Sequence, residues 1–173
     1  MTFRPFIHTS LALLLAITLL PGCGGQKRPA DMPPLYPCTI TVTQDGQPLD
    51  GGMVTLASTD PSFKWVVFAQ LDSSGTGKLF TQGLYAGAPA GEYQVVLSKE
   101  EVVSEQAGQT VVRQGEFGEE SFTPFIETVF SLVEKKYTDV GTTPLSMTIA
   151  RKGNDPKFDC GKPVREMLRR VTP

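Results

Sequence analysis

Between residues 36 and 98 the chain alternates apolar and polar residues with period two, in short runs cut by Gly- and Pro-rich turns. That pattern constrains the fold more than any other feature, because period two lines one face of a strand and cannot line one face of a helix. Cys38, Ile40 and Val42 share one face, with Thr39, Thr41 and Thr43 on the other. Val54 and Leu56 point inward from a strand over 53–58, and Tyr93, Val95 and Leu97 from a strand over 92–98. Phe63, Trp65, Val67, Ala69 and Leu71 line one face of a longer run, which makes Trp65 a core residue. Val66 and Phe68 lie on its other face, so this strand is predicted to be central and covered on both sides. A further strand is predicted over 78–82, and two late ones carry Leu145, Met147 and Ile149, then Phe158 and Cys160. The turns Asp45–Gly52, Asp72–Gly77 and Gly153–Pro156 are dense in the residues that close hairpins. The predicted fold is an all-β sandwich of about seven strands.

Three of these stretches carry a family resemblance. Asp45-Gly46-Gln47-Pro48-Leu49-Asp50-Gly51-Gly52-Met53-Val54-Thr55-Leu56 is similar to a signature of carboxypeptidase regulatory-like domains. Leu71 to Phe80 resembles their second hairpin, with two extra residues between Gly75 and Lys78, and Pro89-Ala90-Gly91-Glu92-Tyr93-Gln94-Val95 resembles the segment that follows. The resemblance covers roughly 36–98 and implies a transthyretin-like, Ig-like sandwich with no catalytic residues of its own. Gly52-Met53 stands where the family usually has Gly-Ala.

Residues 99–139 are too long for a simple sandwich connection and hold Glu100, Glu101, Glu105, Glu116, Glu119 and Glu120. This stretch is expected to begin as a mobile acidic loop, with an added strand at Val111-Val112. Thr123-Pro124 then has the form of a helix start, and Phe125, Val129, Leu132 and Val133 fall on one helical face. One short helix near 124–135 is predicted over a sheet edge.

The N-terminus has the three parts of a secretory leader: Arg4, an apolar run from Leu11 to Leu20, and Pro21-Gly22 before Cys23. The apolar run is half the length of a membrane span. Leu20-Pro21-Gly22-Cys23 looks like the lipobox of bacterial lipoproteins. The resemblance implies removal of residues 1–22, acylation of Cys23 and a cell-envelope location. Gly24 after the cysteine resembles lipoproteins sorted to an outer membrane. Residues 23–35, with Gly24, Gly25, Pro29, Pro33 and Pro34, read as a flexible tether, 36–160 as the sandwich and 161–173 as a basic tail. The run from Lys136 to Phe158 resembles the C-terminal half of small envelope lipoproteins in which such a sandwich follows the lipobox directly. The tail carries Val164, Met167, Leu168 and Val171 on one helical stripe among Lys162, Arg165, Arg169 and Arg170. It reads as a loosely docked terminus, or as a contact with anionic lipid headgroups.

Loss of the leader removes Arg4 and His8, the one histidine, and leaves 15 basic against 18 acidic residues. Such a chain has no basic excess for nucleic acid, no Ser-His or Cys-His nucleophile and no His-ligated metal site. No cofactor or metal site is predicted. If Cys23 carries lipid, Cys38 and Cys160 remain as an even pair in an oxidising compartment, and a disulfide between them is expected if their strands are antiparallel neighbours. The alternative is two buried reduced thiols.

Remaining candidates are modest. Tyr85 reads as an exposed loop aromatic, and Asp72-Ser73-Ser74-Gly75 as a hairpin turn that lacks the acidic spacing of a calcium loop. Glu100-Glu101 and Glu119-Glu120 are carboxylate pairs of the kind glycoside chemistry uses, but adjacent glutamates in polar stretches are usually a solvated face. The functional expectation is a lipid-anchored, non-catalytic binding or scaffold module, tied to the membrane by its lipid and facing an unknown envelope protein or glycan. The alternatives are an accessory subunit docking by strand addition at a sheet edge, and a carboxylate-based hydrolase.

Overall fold

Each alternating run forms a strand, and the strands close over one core. The computed structural model describes residues 27–108 and 110–171. In chain order the strands are β1 (Leu35–Tyr36), β2 (Thr39–Gln44), β3 (Gln47–Pro48), β4 (Met53–Ser58), β5 (Val67–Gln70), β6 (Thr76–Lys78), β7 (Phe80–Thr81), β8 (Tyr85–Ala86) and β9 (Ala88–Pro89). They continue with β10 (Gly91–Ser98), β11 (Glu100–Gln106), β12 (Val111–Gly115), β13 (Gly118–Phe122), β14 (Phe125–Ser131), β15 (Ser146–Ile149), β16 (Lys157–Asp159) and β17 (Glu166–Val171). The fold is all-β and sandwich-like.

One layer is an antiparallel sheet of order β15-β10-β4-β5-β7-β8. The other is built on β2, with β16 parallel on one edge and β3 and β6 antiparallel on the other. Val54, Leu56, Val67, Ala69, Tyr93, Val95, Leu97 and Ile149 face Ile40 and Val42 across the core, all nearly or fully buried. Burying one such aliphatic side chain contributes about 1.5–3 kcal/mol. The Tyr93 hydroxyl donates to Pro89 O at 3.0 Å, and its ring meets Phe63 edge-on at 5.6 Å. The β2–β3 hairpin closes on Asp45 and Gly46, both at positive φ, the backbone a type I′ turn requires. Asp72 closes the next turn by accepting from Ser74 N at 2.8 Å, Ser74 Oγ at 2.6 Å and Thr76 N at 3.0 Å.

Several expectations are corrected. The helix near 124–135 is absent; Phe125–Ser131 is a strand, and the nearest helical element is a 3₁₀ turn at Lys135–Tyr137. Ile126, Thr128 and Val129 are β-branched, Pro124 favours an extended predecessor, and Glu100–Gln106 supplies a full-length partner, so pairing overrides the helical spacing. The acidic stretch 99–123 is strand for the most part, and the basic tail is β17, paired to β14. The run 63–71 is strand only over Val67–Gln70, and it is not covered on both sides. Val66 is exposed, Phe68 and Trp65 are half-buried, and the run 78–82 divides between β6 and β7 of different layers. The predicted tether is applied to the domain over its described part. Met32 is buried, Asp31 pairs with Lys64, and β1 pairs with β9.

The Cys38–Cys160 disulfide is also corrected: both thiols are free and buried. β16 runs parallel to β2, with Asp159 beside Thr43, while Cys38 lies at the other end of β2 and bridges to Asn154. Five residues at about 3.3 Å each separate the two sites, against the roughly 5.5 Å Cα spacing of a disulfide. The expectation failed on strand direction alone. Burial first, then nearby Asp155 for Cys38 and Asp159 for Cys160, pushes each thiol up to about 11.

Candidate docking ribbon

Beyond Ser98 the chain leaves the sandwich. β11 pairs with β14 over seven residues from Glu100↔Ser131 to Gln106↔Phe125, and β12 with β13 over five from Val111↔Phe122 to Gly115↔Gly118. Ala107 N donates to Pro124 O at 2.8 Å, and the Thr110 and Thr123 hydroxyls lie 3.2 Å apart, which carries one hairpin into the next. The two form a single ribbon of roughly 50 Å if straight. Val102-Val103 and Val111-Val112 supply β-branched residues on one side, Ile126, Thr128 and Val129 on the other. Glu116-Phe117 between Gly115 and Gly118 makes a two-residue tip, with Gly118 at φ 128.

The base is fixed to the sandwich by polar contacts. Gln44 Nε2 donates to Leu132 O at 2.8 Å, Asp45 N to Gly161 O at 2.7 Å, and the Ser131 hydroxyl to Val133 O at 2.7 Å. β17 then adds to β14 as a third strand, with a bulge between Val129 and Phe130. The Arg165 guanidinium stacks 3.6 Å over the Phe130 ring while its Nε donates to Glu101 at 2.8 Å, and Arg169 lies 3.9 Å from Glu100. Nearer the tip Arg113 lies 5.2 Å over the Phe122 ring.

The ribbon is exposed and partly apolar. Phe117 is 95% exposed at the tip, and Val112, Val102, Phe125, Met167, Leu168 and Val171 are about half exposed or more. Among the described residues the sheet order β11-β14-β17 leaves both outer strands with one unpaired edge, and β12-β13 likewise. Unpaired edges carrying apolar side chains are templates for pairing with another chain.

The remaining candidates lie elsewhere or do other work. Cys23 and the residues around it fall outside the described residues. Lys64 Nζ lies 5.2 Å over the half-buried Trp65 ring, and the Tyr85 hydroxyl donates to Lys27 O at 3.1 Å. Adjacent glutamates on a strand point to opposite faces, so neither Glu100-Glu101 nor Glu119-Glu120 forms a dyad. A cavity of about 410 Å³ is lined by Phe68, Phe80, Thr39, Lys78 and Asp72 among others, and Asp72 is its one carboxylate. The Ser74 hydroxyl and then the Thr76 amide hold that carboxyl below its usual range. A second cavity of about 500 Å³ near Tyr93 holds Glu92 alone as an acid. Among the described residues no group of three or more His, Cys, Asp or Glu could hold a metal ion. Of the ribbon, sequence reasoning found only the strand at Val111-Val112, where β12 lies, and missed the rest, although the Val102-Val103 doublet and the Gly-x-x-Gly tip were signals for it.

The ribbon and the N-terminal segment leave the sandwich at opposite ends. Residues 27–36 lie by Lys64, Tyr85 and Pro89, before β10 begins, and the ribbon starts where β10 ends, eight residues or about 25 Å away. Comparison with protein-family models, with curated proteins and with solved structures found no match to this chain.

Proposed function

We propose that this chain is a lipid-anchored interaction module of the bacterial cell envelope, held to the membrane through Cys23, whose ribbon docks another chain by strand addition. The observation that carries the reading is the ribbon itself, with open edge strands and apolar side chains directed at solvent. The lipobox-like Leu20-Pro21-Gly22-Cys23 supports the anchor, and the position of residues 27–36 supports the orientation. In this reading an acylated Cys23, four residues before Lys27, anchors the end of the sandwich opposite the start of the ribbon. The sandwich is a transthyretin-like, carboxypeptidase-regulatory-like scaffold in this reading, and the protein is non-catalytic. The Leu-x-Gly-Cys order and Gly24 favour an outer-membrane destination.

Photo-crosslinking in intact envelopes tests this. A photoreactive residue at Phe117 or Val112 of the full-length chain is expected to give a discrete protein adduct, and one at Lys64, at the other end, none. Replacing Cys23 with Ser is expected to stop acylation and release the chain from the membrane fraction. Equal adducts from both ends would refute the docking role, and a Cys23→Ser chain that stayed membrane-bound and processed would refute the anchor.

A further inference from the structure

The ribbon changes width along its length. β17 covers the β14 edge from Ser131 to Glu127 and goes no further in the described residues. Past that point the same edge continues through β13, Gly118–Phe122, with no strand beside it among the described residues. The arm is therefore three strands wide at its base and two at its tip, and the step between them is one strand deep.

We propose that the occupant of this step is β17 of a second copy of the chain. Two arms laid antiparallel about a two-fold axis interlock: β17 of each copy fills the open edge beside β13 of the other. The result is a five-stranded sheet, with an isologous interface of the closed kind that most homodimers use. The step has room for the strand: β17 lies along five residues of β14, Glu127–Ser131, and the open edge beyond it runs from Gly118 to Ile126, of which β13 supplies Gly118–Phe122. The strand directions match as well. β17 runs opposite to its own β14, which continues from β13, so in the reversed copy β13 runs parallel with it.

Charge selects this pairing over the others the same edges allow. β13 carries Glu119-Glu120, and β17 carries Arg169-Arg170. No ion pair to Glu119, Glu120 or Arg170 forms among the described residues, and Arg169 has only its 3.9 Å contact to Glu100. Pairing β13 with β13 sets glutamates together, and β17 with β17 sets arginines together; pairing β13 with β17 sets opposite charges together. The symmetric register brings Arg169 beside Glu120 and Val171 beside Phe122 of the other copy. That contact covers exposed Val171 and Phe122 with each other. An anionic bilayer is a poorer occupant, because Glu116, Glu119 and Glu120 crowd the tip.

The inference rests on the docking reading above and names its partner. Two differently tagged full-length copies are co-expressed, one with Phe122→Cys and the other with Val171→Cys, and mild oxidant is applied to intact envelopes. A disulfide-linked species carrying both tags is expected, and no dimer from either variant alone, since the two copies of either position lie five residues apart along the strand, about 16 Å or more. Adding Arg169→Glu/Arg170→Glu to both copies should reduce the linked fraction about tenfold or more. Glu119→Arg/Glu120→Arg added to that pair should restore it, which a merely misfolded ribbon would not do. Monomer alone, with Phe117 adducts to a different protein, would overturn the homodimer and leave the docking reading in place. Monomer alone with no Phe117 adduct would overturn both.

Discussion

Gly75 is the position where a single added methyl should cost most for its size. It sits in the Asp72–Gly77 turn at φ +70, and a Cβ there would meet Val42 O at 2.4 Å, Leu49 N at 3.0 Å and Pro48 Cα at 3.2 Å, all backbone atoms. Gly75 O also accepts from Val42 N at 2.8 Å, and Val42 O accepts from Leu49 N at 3.0 Å. The left-handed backbone costs alanine about 1–2 kcal/mol, and the loss of unfolded-state freedom returns about 0.4–1 kcal/mol. Relieving the 2.4 Å clash pulls Gly75 away from Val42 and weakens two hydrogen bonds of about 1 kcal/mol each. Gly75→Ala should therefore destabilise by about 2–3 kcal/mol net. Gly46 provides the control, because it has φ +76 and nothing within 4 Å of its Cβ. Gly46→Ala carries the backbone strain alone and should cost about 1 kcal/mol or less. Urea unfolding of the Cys23→Ser chain, with m unchanged, measures both. Equal losses from the two variants would refute the close approach and leave only backbone strain.

Three further outcomes follow from buried or fixed groups. Tyr93→Phe removes the hydroxyl that satisfies buried Pro89 O and should cost about 1–2 kcal/mol by the same unfolding assay; no change would mean the carbonyl finds another donor. The Asp159 carboxylate, held below its usual range by the Thr43 hydroxyl and then by Gly161 N and Gly46 N, contributes stability that is present above its unfolded pKa and is lost as pH falls through the lower folded value. Asp159→Asn should therefore flatten the stability profile below about pH 4, and an unchanged acid limb would count against this anchor. Cys38 and Cys160 should react with an aromatic disulfide reagent only after unfolding, with two thiols then titrating in the Cys23→Ser chain; fewer than two would mean that they had paired.

The sandwich was legible because its strands are half-buried and bounded by turns. Val54, Leu56, Tyr93, Val95 and Leu97 were all placed inward by alternation alone, and all are buried. The 63–71 run was overextended because alternation cannot say where pairing stops. Lys64 turns away to Asp31, and the ladder with β4 begins only at Val67. The cysteines show a different limit. Alternation gives the facing of a side chain and nothing about strand direction, and a parallel β16 moves Cys160 to the far end of β2 without changing one burial assignment.

The ribbon was hidden for the opposite reason. Its strands bury little, so selection for a core leaves no clean alternation there; β11, β12, β13 and β17 are exposed along most of their length. What holds the ribbon is backbone pairing, and pairing between residues 100–106, 125–131 and 166–171 leaves its trace in long-range register, which a window of neighbours does not contain. The helical spacing of Phe125, Val129, Leu132 and Val133 comes from this mixed environment. Val129 and Val133 turn into the base of the arm, while Phe125 stays in solvent, a pattern set by where the strand leaves the sandwich. In the docking reading proposed above, the β-branched and aromatic residues on strands with no core to fill serve an interface, and they lie along edges whose charges are opposite at base and tip. That combination favours a surface specified for another surface over one specified for water.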